Sequence, residues 1–585
     1  MRRFIIGLLA TIGAITLLGI GAMVLLFVRG PLAVKPLPDS MVLSLDLRRL
    51  PPETVSSGVL GGLWSDSRDM VDTLQALWHA ADDPHVAGLY VEIGDEDAGL
   101  ARVQELREAI QRFRSKGKFA IGFAESLGSD SDHFADYYLA AALDRIWLQP
   151  SGGFGVAGLA IETPFLKGGL DKLGIRVEGG KRYEYKSAPD TFTQADMTAP
   201  ARENLQQLID GLYGRFIEDV SRDRRIPPAK LRQLIDSAPL DSERARTEGL
   251  VDKIGYRADA MDDVWQHAGS TRDLVTLSDY ANGQDRPDVP RDVVALVRVS
   301  GTIVSGTNAN DPLGDDLRAA SDDIVDALDS AAQSKEVKAI VLRIDSPGGT
   351  YPAADAVADG VGRARSAGKP VIASMGDVAA SGGYLAAVRA NAIVAEPTTI
   401  TGSIGVFGIW PVATDLLATL GIKVDRLRVG ANAGMYSPFH VPTPAQQVAI
   451  GRELDSVYAD FTRQVADARG LDAARLDAAA RGRVFTGIEA KRAGLIDELG
   501  GLDVALRTAK AKAGIDASKP IELRPFPAES NTLQRIATRL MRLADVTAKG
   551  PKVHVPRELR DLLAKFGIAA RPGNVRLPPL PPLWH

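Results

Sequence analysis

The sequence predicts an α/β protein built from two tandem copies of one domain, each with a mostly parallel sheet. One observation is that short apolar strands alternate with amphipathic helices, as in the helix at 324–332, the strand at 337–344 and the helix at 354–367. This alternation is typical of right-handed βαβ units with parallel strands. A second observation is that the same order of segments occurs twice along the chain.

The duplication is visible in four pairs of similar segments that lie roughly 250 residues apart. The pairs are 86–93 with 337–344, 138–141 with 384–387, 173–177 with 420–424, and 249–255 with 494–500. Four matches in one order indicate a duplicated domain rather than a short solenoid repeat. We therefore predict an N-terminal repeat at 41–275, a C-terminal repeat at 290–515 and a C-terminal extension at 516–585.

Composition excludes several classes of function. A chain of 585 residues is too long for one core, and 45% hydrophobic with 24% charged residues is ordinary for a globular protein. The net charge of −5 gives no reason to expect nucleic acid as a partner. Without cysteine the chain has no disulfide or thiolate chemistry, and its seven histidines lack the H-E-x-x-H spacing of zinc peptidases. We therefore expect no metal site.

The N-terminus predicts a membrane anchor. Residues 4–28 are apolar and uncharged, and as a helix they would extend ~37 Å, against ~30 Å for the hydrocarbon core of a bilayer. No convincing cleavage site follows at 29–34, so we expect a single uncleaved span and a short linker at 29–40. Arg2 and Arg3 favour a cytoplasmic N-terminus, which would place the body outside the cytoplasm.

The stretch 371–408 contains the first candidate for chemistry. A buried strand at 370–374 leads into a turn of small residues, 379–383, and then into a helix that starts near Tyr384. Ser381 would lie at the helix N-terminus, where unpaired N–H groups favour developing negative charge. The pattern suits a nucleophile, although small-residue turns are also common wherever a strand meets a helix.

The two copies differ where chemistry would occur. Ser381 aligns with Ala135, and the Gly348-Gly349 turn of the second copy has no counterpart at 94–98. The first copy instead contains Lys186, whose counterpart segment at 434–437 has no lysine. One copy therefore keeps a candidate nucleophile and the other a candidate base.

The chain resembles the long, tandem-domain form of the signal peptide peptidase A (protease IV) family, which are membrane-anchored serine peptidases of the Clp/crotonase-like fold. The resemblance covers about residues 40–515. It rests on four motifs, which are Ser-Pro-Gly-Gly at 346–349, Ala-Ser-Gly-Gly-Tyr at 380–384, Thr-Gly-Ser-Ile-Gly at 401–405 and Tyr-Lys-Ser-Ala at 185–188.

The resemblance implies a role for each of five residues. Ser381 would be the nucleophile and Lys186 its general base, a Ser-Lys dyad, with Ser403 holding the lysine amine in place. The backbone N–H groups of Gly349 and Gly382 would form the oxyanion hole. Because a free lysine has a pKa near ~10.4, a base role near neutral pH requires that pKa to fall, which burial between two domains would achieve.

The resemblance also implies a setting for the enzyme. Its substrates would be cleaved signal peptides and other short hydrophobic peptides, and no cofactor would be needed. It would assemble as a homo-oligomer, by resemblance a homotetramer, in the inner (cell) membrane with its catalytic body on the periplasmic side.

Several alternatives remain open from sequence. Ser346 is a second candidate nucleophile, and His440 is a candidate base because it lies near the position equivalent to Lys186. The chain as a whole is alternatively an inactive membrane scaffold of the same fold, or a crotonase-like enzyme acting on acyl-CoA. The segment 533–546 has helical periodicity and either packs on the body or lies on a membrane surface.

Overall fold

The computed structural model describes residues 36–54, 68–94, 99–128, 134–283, 291–307 and 318–527. The predicted anchor at 4–28, most of the linker at 29–40 and the predicted helix at 533–546 lie outside the described residues. Within the described ranges, no helix combines the length and apolarity needed to cross a membrane.

The first half of the chain forms strands and helices in alternation. The strands are β1 (Met41–Leu47), β2 (Val86–Ile93), β3 (Phe119–Ala124), β4 (Arg145–Leu148), β5 (Gly153–Phe154), β6 (Arg176–Arg182), β7 (Leu240–Asp241), β8 (Lys253–Ile254) and β9 (Leu274–Thr276). The helices are α1 (Met70–Asp82), α2 (Leu100–Ser115), α3 (Ala135–Ala140), α4 (Lys167–Lys172), α5 (Asp190–Thr193), α6 (Ala199–Arg224), α7 (Pro228–Asp236), α8 (Ser242–Thr247), α9 (Arg257–His267) and α10 (Leu277–Gly283).

The second half follows the same plan. Its strands are β10 (Asp292–Ser300), β11 (Thr302–Val304), β12 (Arg318–Ala320), β13 (Val337–Ser346), β14 (Val371–Ala380), β15 (Ala392–Ala395), β16 (Ile400–Gly402), β17 (Val406–Val412), β18 (Val484–Thr486), β19 (Glu498–Leu499) and β20 (Ile521–Phe526). Its helices are α11 (Ser321–Gln333), α12 (Tyr351–Ser366), α13 (Gly382–Ala387), α14 (Thr414–Thr419), α15 (Pro444–Arg469), α16 (Ala473–Ala479), α17 (Gly487–Ala493) and α18 (Leu502–Lys512).

The two principal sheets have the same strand order. The first runs β8-β4-β3-β2-β1-β9, and every pair in it is parallel. In the second, β19-β15-β14-β13-β10-β20 is the equivalent order and again parallel, while β16 also pairs with β14 and β18 runs antiparallel to β16. The predicted α/β class with mostly parallel sheets is confirmed.

Local sequence accounts for the main elements. Strand β13 is buried along nearly its whole length, as expected for a parallel strand that helices cover on both faces. The long helices α6 and α15 are each 26 residues, and each starts after a capping threonine, Thr198 or Thr443, with a proline in the first turn. Both end at a residue with left-handed backbone, Arg225 or Gly470. These parallels extend the duplication from sequence to structure.

The second sheet continues past the predicted end of its repeat. Strand β20 pairs in parallel with β10, just as β9 pairs with β1 in the first sheet. Residues 521–526, which the prediction assigned to the C-terminal extension, therefore lie in the second sheet. The sequence match ends earlier because an edge strand needs only a short apolar segment, and that segment is not similar in the two copies.

The structure also corrects one position in the alignment of the two repeats. The Tyr384 hydroxyl donates to the Leu495 carbonyl at 2.9 Å, and the Tyr137 hydroxyl donates to the Leu250 carbonyl at 3.0 Å. Tyr137, and not its neighbour Tyr138, is thus the counterpart of Tyr384. The residue equivalent to Ser381 is then Phe134 rather than Ala135. Two adjacent tyrosines allowed the sequence match to shift by one residue, but the first repeat lacks the serine in either alignment.

Contacts between the repeats include a pair of strands and a buried cluster of charges. Strand β6 of the first repeat pairs antiparallel with β17 of the second. The fully buried Arg343 of β13 donates to Glu53 at 2.5 and 3.0 Å and to Glu105 at 2.8 and 2.7 Å, and both carboxylates belong to the first repeat. A buried charge that loses its partner is costly, so these ion pairs fix how the two repeats face each other.

Candidate active site

Ser381 lies alone between β14 and α13. The strand runs to Ala380 and the helix begins at Gly382, so the predicted helix start near Tyr384 is two residues late. The Ser381 backbone has φ 55° and ψ −117°, a conformation that costs a non-glycine residue on the order of 1–3 kcal/mol. A sharp, strained strand-to-helix turn is also the geometry that presents the nucleophile in α/β-hydrolases.

Two glycine turns meet beside this serine. A Cβ on Gly348, where φ is +105°, would lie 2.7 Å from the Gly382 nitrogen, and a Cβ on Gly382 would lie 3.1 Å from the Gly349 nitrogen. Only glycine permits both approaches. No described residue accepts a hydrogen bond from the N–H of Gly349 or Gly382. These two donors next to Ser381 are the pair that the family resemblance assigns to an oxyanion hole.

Lys186 reaches Ser381 from the other repeat, 195 residues earlier in the chain. Its Nζ lies 3.0 Å from the Ser381 Oγ. The same Nζ is 2.9 Å from the Ser403 Oγ and 2.9 Å from the Ser403 carbonyl oxygen. The three predicted side chains are therefore brought together within a single chain.

The lysine amine is removed from solvent. Only 4% of Lys186 is exposed, and this burial lowers the pKa of its amine to about 7. Burial disfavours the charged form of a lysine, and no carboxylate offsets it here. Near neutral pH, the lysine thus exists substantially as a neutral amine, which can accept a proton.

Two glycines of the second repeat make this approach possible. A Cβ on Gly482, where φ is +89°, would lie 2.4 Å from the Lys186 nitrogen and 2.6 Å from its Cα. A Cβ on Gly405 would lie 3.2 Å from the Lys186 Cδ. Sequence reasoning missed Gly482. Its only local signal is a glycine between Arg481 and Arg483, and nothing in that pattern indicates which distant backbone must pass it.

The two rival residues have other contacts. Ser346 is fully buried, and its Oγ accepts a hydrogen bond from the Gly348 N–H at 3.1 Å, so it supports the glycine turn. His440 is half-buried and its Nε2 lies 3.0 Å from the Gly434 carbonyl oxygen. Among the described residues, no hydrogen bond joins His440 to Ser381.

Comparison with known proteins gives a consistent result. The sequence profile of peptidase family S49 matches residues 127–271 and 363–516. A chloroplastic serine protease SPPA of Arabidopsis thaliana is 31% identical over 78% of this chain and 68% of its own length. Protease 4 of Salmonella typhi is 32% identical over 75% of this chain and 71% of its own, and Protease 4 of Haemophilus influenzae is 30% identical over 82% and 78%. Among solved structures, a membrane-bound stomatin-specific protease is 15% identical and covers 41% of this chain and 100% of its own, with a TM-score of 0.26, too low to support an argument about fold.

The close packing at Gly482 predicts a specific loss of stability. Gly482→Ala should lower the free energy of unfolding by about 2–4 kcal/mol, because the new methyl adds overpacking against the lysine backbone to the cost of a positive φ. The matched control is Gly421→Ala, which has φ +71° with no heavy atom within 4 Å and should cost only about 1 kcal/mol. Urea unfolding of the purified proteins measures both. Equal losses in the two variants would contradict the packing argument.

Proposed function

This chain belongs to peptidase family S49, and we propose that it is a membrane-anchored serine endopeptidase that cleaves peptides with a Ser-Lys dyad. Ser381 is the nucleophile and Lys186 is the general base. The observation that carries this assignment is the 3.0 Å contact between the Ser381 hydroxyl and an amine whose burial lowers its pKa to about 7. A serine hydroxyl needs such a base within hydrogen-bonding distance to attack a peptide carbonyl.

The proposed reaction has two proton transfers in each half. The neutral amine of Lys186 takes the Ser381 proton as the Oγ attacks the scissile carbonyl carbon, and the N–H groups of Gly349 and Gly382 stabilise the resulting oxyanion. The lysine then gives the proton to the departing amine, which leaves an acyl-enzyme on Ser381. Water attacks that ester with Lys186 again acting as base, and the serine is regenerated.

Ser403 has a positioning role in this scheme. The Oγ and the carbonyl oxygen of Ser403 both lie 2.9 Å from the lysine amine. The Ser403 backbone has a φ of 52°. Two fixed partners limit the rotation of the amine and direct its lone pair toward Ser381, as the third member of a catalytic triad does for its base.

We propose short hydrophobic peptides, including cleaved signal peptides, as the substrates. An enzyme tethered by an N-terminal span would meet such peptides where they are released. Neither the scaffold nor the acyl-CoA hypothesis is favoured by a specific feature of the described residues.

The dyad is tested by three variants. Ser381→Ala, Lys186→Ala and the double variant should each reduce kcat at least ~10³-fold, and the double should be no slower than either single, because each removes half of one proton-transfer unit. Wild-type kcat should rise with pH through about 7, since only the neutral amine accepts the serine proton. The measurement is hydrolysis of a short soluble peptide across pH 5–9.

His440→Ala is the control for this experiment and should keep wild-type turnover. A Lys186→Ala enzyme as fast as the wild type would exclude lysine as the base. A serine-reactive phosphonate should label Ser381 in the wild type, and labelling at Ser346 instead would contradict the choice of nucleophile.

The proposed anchor predicts retention in the inner membrane with the body on the periplasmic side. The full chain should remain in the membrane fraction after a high-salt wash, because an apolar span of this length does not depend on ionic contacts. Protease added to cells with a permeabilised outer barrier should digest the body, with a cytoplasmic protein as the intact control. Full protection of the body would refute this orientation.

We also propose a homo-oligomer, by resemblance a homotetramer. Large apolar side chains are exposed along the segment after β17 and at either end of α4, including Leu420 at 62%, Leu427 at 101% and Val429 at 98%. Apolar surface of this extent usually marks an interaction site. Leu427→Glu with Val429→Glu should therefore shift the detergent-solubilised protein to smaller species in mass photometry. Leu274 is an exposed leucine on edge strand β9, and Leu274→Glu should leave the mass unchanged. If the Leu427→Glu, Val429→Glu variant also keeps the wild-type mass, this interface is contradicted.

A further inference from the structure

The segment Arg481-Gly482-Arg483 contacts both sides of the proposed dyad. We propose that it is a positioning segment, which holds residues 184–186 of the first repeat (the lysine loop) against the part of the second repeat that carries Ser381 and Ser403. This inference rests on the proposed function, because it assigns the segment to placing Lys186 as the base. It concerns residues that do not touch the reacting atoms.

Arg481 binds the residue two positions before the lysine. Its guanidinium donates to the two carboxylate oxygens of Glu184 at 2.9 and 3.0 Å, and it lies 4.9 Å from the centre of the Tyr183 ring. The Arg481 backbone has φ 60°, which a non-glycine residue keeps only where surrounding contacts fix it. One such contact is its N–H, which donates to the Tyr458 hydroxyl at 3.2 Å.

Arg483 binds the residue directly before the lysine. Its guanidinium lies 3.7 Å from the centre of the Tyr185 ring, donates to the Tyr185 hydroxyl, and donates to Glu203 of α6 at 2.9 Å. Between the two arginines, Gly482 packs against the Lys186 backbone itself. Three consecutive residues of one repeat thus contact three consecutive residues of the other, 184–186.

The same segment holds the second partner of the amine. The Arg483 carbonyl accepts from the Ser403 N–H at 2.6 Å, and the Gly482 N–H donates to the Ile404 carbonyl at 2.9 Å. On the outer side, the buried Asn204 side chain bonds to both backbone groups of Val484 at 2.9 Å. A single rigid segment therefore sets where Lys186 and Ser403 lie relative to each other.

Positioning matters here because a lysine side chain is long and flexible. A shift of its backbone by about 1 Å moves the amine out of line with the serine hydroxyl, and misplacement on this scale can cost ~10²-fold in rate. The shift would also admit water to the amine. Half-exposed ion pairs contribute little to folding, so loss of Arg481 should alter position more than stability.

Several charged groups lie on the lysine loop and on the elements that pack against it. They are Glu184 on its own loop, Arg481 and Arg483 on the facing segment, Asp477 on α16 and Glu203 on α6. Arg481 pairs with both Glu184 and Asp477, and Arg483 pairs with Glu203. Lys181 and Arg182 on β6 are paired with Asp190 and Asp455. Removing Arg481 leaves Glu184 without this arginine and lets water in. Because burial alone lowers the pKa of the Lys186 amine, the entry of water is the change that raises it.

The test uses the full-length enzyme with Arg481→Ala and Arg483→Ala. Each should lower kcat at pH 7 by about 10- to 100-fold with KM changed less than ~3-fold, because positioning and not substrate binding is lost. In Arg481→Ala the midpoint of the kcat profile should move from about pH 7 to about pH 8, so activity is partly recovered at alkaline pH. A purely structural role would reduce the active fraction without moving this midpoint.

Three further variants complete the test. Arg481→Lys keeps the charge but not the paired hydrogen bonds, and should restore part of kcat. Arg225→Ala is the matched control, since Arg225 is an exposed arginine with φ 56° at the end of α6, and it should behave as wild type. Lys186→Ala, measured in the same experiment, separates failure of the proposed dyad from failure of the positioning inference. If it retains turnover, the proposed dyad fails.

If Lys186→Ala is inactive while Arg481→Ala and Arg483→Ala keep both the wild-type kcat and midpoint, the positioning inference is overturned. Should Arg481→Ala not fold, Arg483→Ala and Arg481→Lys decide the question through the same KM, kcat and pH measurements. An unchanged kcat and midpoint in these two variants would likewise overturn it.

Discussion

The exclusion of water from the Lys186 amine is the constraint on which the candidate site depends. A lysine at the surface would be protonated at neutral pH and could not accept a proton from serine. Neither repeat encloses this side chain alone, because the lysine loop belongs to the first repeat and the walls around it to the second. The pairing of β6 with β17, and the absence of a side chain at Gly482 and Gly405, are what allow the enclosure to form.

The surfaces that hold the two repeats together combine an apolar cluster, to which both repeats contribute, with buried charges. Arg343 is fully buried between Glu53 and Glu105, so its charge is compensated entirely by residues of the other repeat. Nearby, burial and the surrounding acidic groups raise the pKa of Glu396 well above its usual range, which keeps this buried side chain neutral. Buried ion pairs add little net stability compared with apolar contacts, but they are intolerant of misalignment. An interface of this kind favours one relative placement of the repeats over many.

Sequence reasoning recovered much of this arrangement, for identifiable reasons. The parallel sheets follow from apolar strands alternating with helices, and the complementary losses in the two copies directed attention to Ser381 and Lys186, which the structure places in contact. The counterpart of Ser381 was misplaced where local similarity was ambiguous, and strand β20 was not predicted because its segment has no similar counterpart in the first repeat. The sequence analysis missed Gly482, Arg481 and Arg483. Their proposed role depends on contacts with the lysine loop, almost 300 positions away along the chain. Local periodicity and motifs carry no information about such contacts.

The order of the two groups along the chain has a consequence for biosynthesis. The lysine is made first, and until the second repeat has folded it is exposed to water, charged and without a serine beside it. A nascent or truncated chain would therefore be unable to hydrolyse peptides by the proposed route. Activity would begin only when the last part of the second repeat, including the segment around Gly482, has closed over the lysine. Completion of the chain would then switch on activity in this enzyme, as removal of an inhibitory propeptide does in many secreted proteases.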